Sequence, residues 1–278
     1  MMDLFHELSQ DCSRITTEKY STSFSSAIKL LHKDLRAPIF NIYGFVRFAD
    51  EIVDSFHDHD KSVLLAEFKR ATYEAVERKI SLNPILHSFQ LTVNEYKIDH
   101  ALIDAFLYSM ELDLDKRNYD KQGYEQYIYG SAEVVGLMCL YVFCSGDIQQ
   151  YELLKPSAKS LGSAFQKVNF LRDLKADFQG LDRMYFPNCD FSNFSEADKQ
   201  AIEIDIQKDF DDAFEGIIQL PIKARFGVYV AFKYYLSLFK KIKKIQPQKI
   251  MEARVRIPDY GKFFILAKAG IRSQLNML

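Results

Sequence analysis

Apolar residues recur at helical spacing along almost all of the 278-residue chain, and its few Gly (11) and Pro (7) fall mainly between those stretches. A period of three to four residues is that of a helix with one buried face, so the pattern predicts an all-α protein. Helices are expected near 5–18, 20–32, 39–56, 60–80, 84–96, 99–116, 121–144, 149–179, 195–218, 221–245 and 259–275. Pro38, Pro84, Pro221 and Pro258 stand near helix starts, where a missing N–H is harmless, and Pro187 marks a stop. No Gly/Ser-rich linker, composition shift or fixed-period repeat divides the chain, so a single domain over 1–278 is the economical expectation. The most loop-like stretch, Gly180 to Asp198, is either a lid or an ordinary surface loop.

Charge narrows the partners. Lys and Arg number 36 against 38 Asp and Glu, a net charge of -2, without the basic excess that nucleic-acid binding requires. The four cysteines lack metal-ligand or C-x-x-C spacing and the N-terminal residues lack the features of a signal peptide, so a cytoplasmic location is expected. The longest nearly apolar run, Val134 to Cys144, falls short of the roughly 20 residues that span a bilayer. Rings are abundant: 23 Phe and 16 Tyr, with no Trp.

Two aspartates four apart on a helix project from one face and can share a hard cation. Four such pairs occur: Asp50/Asp54, Asp54/Asp58, Asp173/Asp177 and Asp205/Asp209. Chance alone yields about two in a chain this rich in Asp, so context must sort them. Asp205/Asp209 lie on an acidic helix and read as a solvated face, whereas Asp58 and Asp60 read as a helix end and the cap of the next. Asp50 and Asp54 instead close a mostly apolar helix with Arg47 one turn earlier. Asn169, Asp173 and Asp177 form a ladder beside Arg172, with Gln166 a turn before it. Internal salt bridges to the neighbouring Arg or Lys are one reading of each cluster. The other is a two-sided oxygen cage for Mg²⁺ and a diphosphate, with Arg on the remaining anionic charge. Ionisation of an allylic diphosphate there would leave a carbocation, which Phe and Tyr faces stabilise without attacking it.

These residues sit in segments that resemble the squalene, dehydrosqualene and phytoene synthases, the trans-isoprenyl diphosphate head-to-head synthases. The markers are YSTSFSSAIKLL at Tyr20–Leu31, FVRFADEIVD at Phe45–Asp54, MELDL at Met110–Leu114, YIYGSAEVVG at Tyr127–Gly136 and VNFLRDLKADFQGLDRMYFP at Val168–Pro187. ARVRIPDYGKF near the C-terminus is a weaker match, most like bacterial phytoene synthases. The resemblance covers nearly the whole chain and implies one isoprenoid-synthase-type helical domain with a central cavity, Mg²⁺ dependence and two prenyl diphosphate substrates. It implies that Asp50, Asp54, Asp173 and Asp177 are metal ligands, with Asn169 as a further one. It also places Arg47, Arg172 and Arg183 on diphosphate, Tyr129 near the ionising centre, and Gln166 in the cavity wall. Ser21 and Ser23, with Tyr20, fall in the phosphate region of the first substrate, and Tyr185 in a flap over the site.

Each residue also has a plainer reading: Tyr129 as a core tyrosine, Ser21 and Ser23 as helix caps, Arg183 and Tyr185 as staples of their loop. Two departures stand out. Tyr20 occupies a position where several relatives carry histidine, and Glu133 one where glycine is common; Glu133 faces either the cavity or a basic residue on a neighbouring helix. The resemblance leads to an expectation of phytoene formation from two geranylgeranyl diphosphates through prephytoene diphosphate. The alternatives are a squalene or dehydrosqualene synthase using farnesyl diphosphate, and a non-catalytic binding or assembly factor of the same superfamily. Because such a product is apolar, peripheral membrane contact is expected, with the lysines of FKKIKKIQPQK around Ile242 as its candidate surface; a solvated helix C-terminus is the alternative. No obligate protein partner is evident.

Overall fold

Among the described residues the helical periodicity is realised as twelve α-helices and one π-helical segment, without strands. The computed structural model describes residues 2–115, 119–180, 185–187, 194–250, 255 and 269, and their side chains except those of 115 and 175–180. The helices are α1 (Met2–Tyr20), α2 (Thr22–Ile28), α3 (Lys33–Ser55), α4 (Lys61–Arg78), α5 (Pro84–Tyr96), α6 (His100–Asp115) and α7 (Lys121–Ile128). After the π segment Tyr129–Glu133 come α8 (Val134–Cys144), α9 (Ile148–Gly180), α10 (Glu196–Ile217), α11 (Ile222–Lys243) and α12 (Pro247–Ile250). The helix expected at 259–275, Pro258 and the C-terminal motif lie outside the described residues.

Local chemistry explains most boundaries. Asp60 Oδ1 accepts the Val63 N–H at 3.1 Å to cap α4, as its place before the helix suggests. Asn83 caps α5 with Pro84 in the first turn, and Ser195 with Asp198 forms a capping box on α10. Pro38 departs from expectation: α3 begins at Lys33, so this proline lies inside the helix. The single helix expected over 121–144 is interrupted by the π segment. There Gly130 lies so close to α6 that a Cβ would stand 2.5 Å from the Ala105 carbonyl oxygen. The continuous helical stretch Lys121–Cys144 is long and apolar enough to cross a bilayer, yet over half of it is buried, with Val134, Leu137, Met138, Leu140 and Val142 in the core.

The core runs through the middle of the bundle. Phe45 of α3 stacks on Phe89 of α5 with centroids 3.8 Å apart, and Phe68 and Phe106 pack at 5.5 and 5.4 Å. Most of the rings serve this packing, which dominates the stability of a helical protein. The N-terminal helix is attached through polar contacts: Ser13 Oγ lies 2.7 Å from Ser88 Oγ, and His6 Nδ1 lies 2.8 Å from His87 Nε2.

Helix α9 is the long strut, and α10 packs along it. On the face of α9 that meets α10, the buried Lys167 ammonium donates to Asp209 at 2.7 Å and also to Asp205. Asp209 is therefore turned inward rather than solvated, and burial pushes its carboxyl up to about 6 against the pull of Lys167. Lys167→Met should cost about 2 kcal/mol by stranding that carboxylate, a fall in melting temperature of about 4–8 °C. Pairing it with Asp209→Leu should recover at least half of the loss; thermal denaturation followed by circular dichroism checks both.

Candidate active site

Helices α3 and α9 bring Asp50 of one cluster, and Asn169 and Arg172 of the other, to one cavity of ≈ 470 Å³. On α3, Tyr43, Arg47 and Asp50 share a face at i, i+4 and i+7 and line the mouth. On α9, Gln166, Asn169 and Arg172 do the same from the other side, joined by Tyr235 of α11 and by Tyr20 and Ser21. Below the mouth the walls turn apolar, with Phe165, Leu161, Ala158 and Leu154 of α9 descending towards Leu31, Ile217 and Leu220. At 1.5 Å per residue, the helix from Arg172 to Leu154 runs about 27 Å. Its approach to the π segment depends on Gly162, where a Cβ would lie 2.7 Å from the Ala132 carbonyl oxygen.

The electrostatics of the mouth are strained. Burial and the charge of Asp54, partly offset by Arg47, push the Asp50 carboxyl up to about 7, and Asp113 adds to the repulsion. Arg47 is paired closely with Glu51, stands 3.8 Å from Asp50 and stacks 4.3 Å over the Tyr20 ring. Its Nε is buried without a hydrogen-bond partner. Arg172 grips Asp173 with two hydrogen bonds, the Nε one at 3.0 Å. The salt-bridge reading of each cluster is thus realised, with the buried Arg47 Nε left without a partner. Asn169 Oδ1 accepts the Tyr235 hydroxyl at 3.3 Å, and burial first, with Tyr235 next, raises the Tyr43 phenol to about 12, so it stays a donor.

The other expected site residues are distributed more widely. Ser21 caps α2, accepting the Phe24 N–H at 3.2 Å, and also lines the cavity. Asp54 is exposed beyond the mouth, and Ser23 and Asp173 do not line the cavity. Tyr129 does not line it either; its ring lies under the Lys159 ammonium at 5.2 Å. Tyr185 is buried, stacked 4.0 Å from Phe170. Arg183 and the Asp177 side chain lie outside the described residues. Glu133 turns to its neighbour helix, 3.0 Å from Lys159 and accepting the Ser163 hydroxyl at 2.7 Å.

Five groups were not anticipated. Tyr43 and Tyr235 stand in the mouth, and Phe24 and Phe165 pack with them; Phe165 stacks on Tyr235 at 3.9 Å. Tyr43 was findable, being one turn before Arg47 on the same face; Tyr235, far along the chain, offered no local signal. Asp113 is a buried acid whose charge bears on Asp50, and it accepts the Tyr127 hydroxyl at 2.6 Å and that of Tyr119 at 3.2 Å. An acid inside the apolar MELDL segment was its signal.

Comparison with known proteins decides the lineage: the squalene/phytoene synthase family model matches residues 17–260. The chain belongs to that family. Membership places it among the prenyltransferase-type synthases that join isoprenoid units head to head. Phytoene synthase of Arthrospira platensis is 24% identical over 289 residues, 95% of this chain and 93% of that protein. Presqualene diphosphate synthase of Rhodopseudomonas palustris is 28% identical over 169 residues, 60% of this chain and 58% of that protein. Among solved structures, a dehydrosqualene synthase in complex with ligand superimposes with a TM-score of 0.81 at 20% identity, over 98% of both chains. A squalene synthase from Alicyclobacillus acidocaldarius gives 0.73 at 18% identity, over 86% of this chain and 94% of that one. The squalene/phytoene synthase fold is therefore shared along the chain.

Proposed function

We propose that this family member condenses two geranylgeranyl diphosphates head to head, through prephytoene diphosphate, to phytoene, using Mg²⁺. The observation that carries this reading is the shape and polarity of the cavity: a charged mouth opening on a long apolar channel, the complement of a diphosphate with a hydrocarbon tail. Four carbon–carbon bonds of about 1.5 Å advance an extended chain by about 5 Å per isoprene unit, so a C20 tail needs about 20 Å. The wall of α9 from Asn169 to Leu154 runs about 22 Å. A C15 tail would leave its lower end unfilled.

The oxygen donors that line the mouth, Asp50 and Asn169, suit Mg²⁺. Among the described residues no three Asp, Glu, His or Cys side chains converge to chelate a metal unaided. Mg²⁺ characteristically takes one or two carboxylates and completes its shell with water and phosphate oxygens. Asp50 and Asp54 on one side, and Asn169 and Asp173 with Asp177 on the other, would hold it. When bound, it supplies the charge neutralisation that lets diphosphate leave. Arg47, with its unpartnered Nε, and Arg172 would take the remaining phosphate charge, Arg172 by releasing Asp173. Tyr43 would donate to the leaving oxygens. The faces of Phe24, Phe165 and Tyr235 line the first stretch of channel, where the allylic cation would form.

Incubation with geranylgeranyl or farnesyl diphosphate plus Mg²⁺, followed by identification of the hydrocarbon, tests the reading. Phytoene from the C20 substrate is expected. Hydrocarbon from the C15 substrate alone would overturn it in favour of a squalene-type or dehydrosqualene-type synthase.

A further inference from the structure

We propose that Tyr20 is a positioning residue: its ring, lying against the Arg47 guanidinium, holds that group at the mouth and leaves its in-plane N–H donors for a diphosphate. The proposal rests on the diphosphate reading of the mouth given above. Tyr20 is the last residue of α1 and lines the mouth, and the central carbon of the Arg47 guanidinium lies 4.3 Å from the centroid of its ring. A guanidinium that meets a ring with its face keeps its edges free, because all five of its N–H groups lie in its own plane. Stacking and anion binding therefore do not compete. The ring is 52% exposed, too open to serve the core, so what it covers is the reason for its place.

Glu51 fixes the rotation that stacking leaves free. It pairs closely with Arg47 Nη2 and also accepts the Tyr20 hydroxyl, so ring, guanidinium and carboxylate close a triangle. Two donor nitrogens of Arg47 remain for a ligand. Nη1 stands 3.8 Å from Asp50, beyond hydrogen-bonding distance, and Nε is buried without a partner. The Tyr20 hydroxyl is itself taken by Glu51, which makes the ring face, and not the phenol, the working part of the side chain. Helix packing sets the contact up: Gly44 stands three residues before Arg47, and a Cβ there would lie 2.6 Å from Ser13 Oγ of α1. A long side chain held in this way loses its rotamer freedom on folding rather than on each binding event, and that favours the bound state.

Calorimetric titration of the full chain with inorganic diphosphate in Mg²⁺ tests the assignment. Tyr20→Leu should weaken binding at least about fivefold, with the melting temperature unchanged. Tyr20→Phe, which keeps the ring and lacks the hydroxyl, should recover most of that loss. In an Arg47→Gln background Tyr20→Leu should cause no further loss, because it acts through the guanidinium. Binding by Tyr20→Phe as weak as by Tyr20→Leu would overturn the proposal, assigning the effect to the hydroxyl. An equal effect of Tyr20→Leu with and without Arg47 would overturn it by showing a direct contact with the anion. So would unchanged binding in Tyr20→Leu, or a wild type that does not bind inorganic diphosphate. The probe has no hydrocarbon tail, so failure of the C20 reading registers in the identity of the hydrocarbon product and leaves this result to judge Tyr20.

Discussion

Asp50→Asn should lower kcat/KM by at least about 10³-fold and at the same time raise the melting temperature of the metal-free protein. The loss follows from removing one carboxylate of the pair that would hold Mg²⁺, since a metal's stabilisation of developing charge is worth several kcal/mol and each 1.4 kcal/mol is tenfold in rate. The gain follows from the strain at the mouth. With its carboxyl pushed up to about 7 by burial and by Asp54, Asp50 binds a proton in the folded protein over a range where the unfolded chain has lost it. Its contribution to stability is therefore greatest on the acid side and is lost as pH rises through 7. The amide, uncharged throughout, escapes that loss, so the difference in melting temperature should be small at pH 5 and largest at pH 8. The Asp50 side chain is 32% exposed, so solvent screens it and the expected gain is a few degrees. Steady-state kinetics and thermal melts in chelator at the two pH values check the pair of effects. A variant that melts lower than the wild type at pH 8 would deny the strain. A wild type that binds prenyl diphosphate without turning it over would instead support a non-catalytic role.

Ala158→Phe should convert substrate preference. Ala158 lines the channel about 16 Å below Asn169, measured along α9. A phenyl ring there leaves room for an extended C15 tail of about 15 Å but not for a fourth isoprene unit. Turnover of geranylgeranyl diphosphate should fall about 100-fold in kcat/KM, within the range seen when a pocket rejects added hydrocarbon, while that of farnesyl diphosphate changes by less than about threefold. Competition between the two diphosphates, read out as C40 against C30 hydrocarbon, checks it. Equal loss with both would mean that the tail does not lie along α9.

How far sequence reasoning reached depends on how local each feature is. Helices and their caps follow from periodicity and from residues such as Asp60, Asn83 and Pro84, whose signals span a few positions. The pairing of Asp50 with Arg47, and the ladder from Asn169 to Asp173, follow from helix geometry alone. The π segment was not legible, because its cause is the fit of Gly130 against α6, a contact between distant stretches of chain. The inward turn of Asp209 depends on Lys167, 42 residues earlier, and so an acidic helix looked uniformly solvated. Rings posed the same difficulty. The 39 Phe and Tyr offered wall for a cavity without telling which of them line it; among the described residues six do: Tyr20, Phe24, Tyr43, Phe143, Phe165 and Tyr235. Phe45, Phe89 and others pack the bundle, a choice made by tertiary contact.

Helix α9 lines the channel on one face and bonds to α10 on another, so the wall that would measure the proposed substrate is also a beam of the building. Removing a turn to suit a shorter tail would swing Lys167 away from Asp205 and Asp209 and carry Asn169 and Arg172 off the mouth. A lineage built on this beam is left to adapt by changing what protrudes into the channel. Divergence in product length should accordingly be found in side-chain bulk at positions such as 158 and 161, with the number of residues between Leu154 and Arg172 held constant.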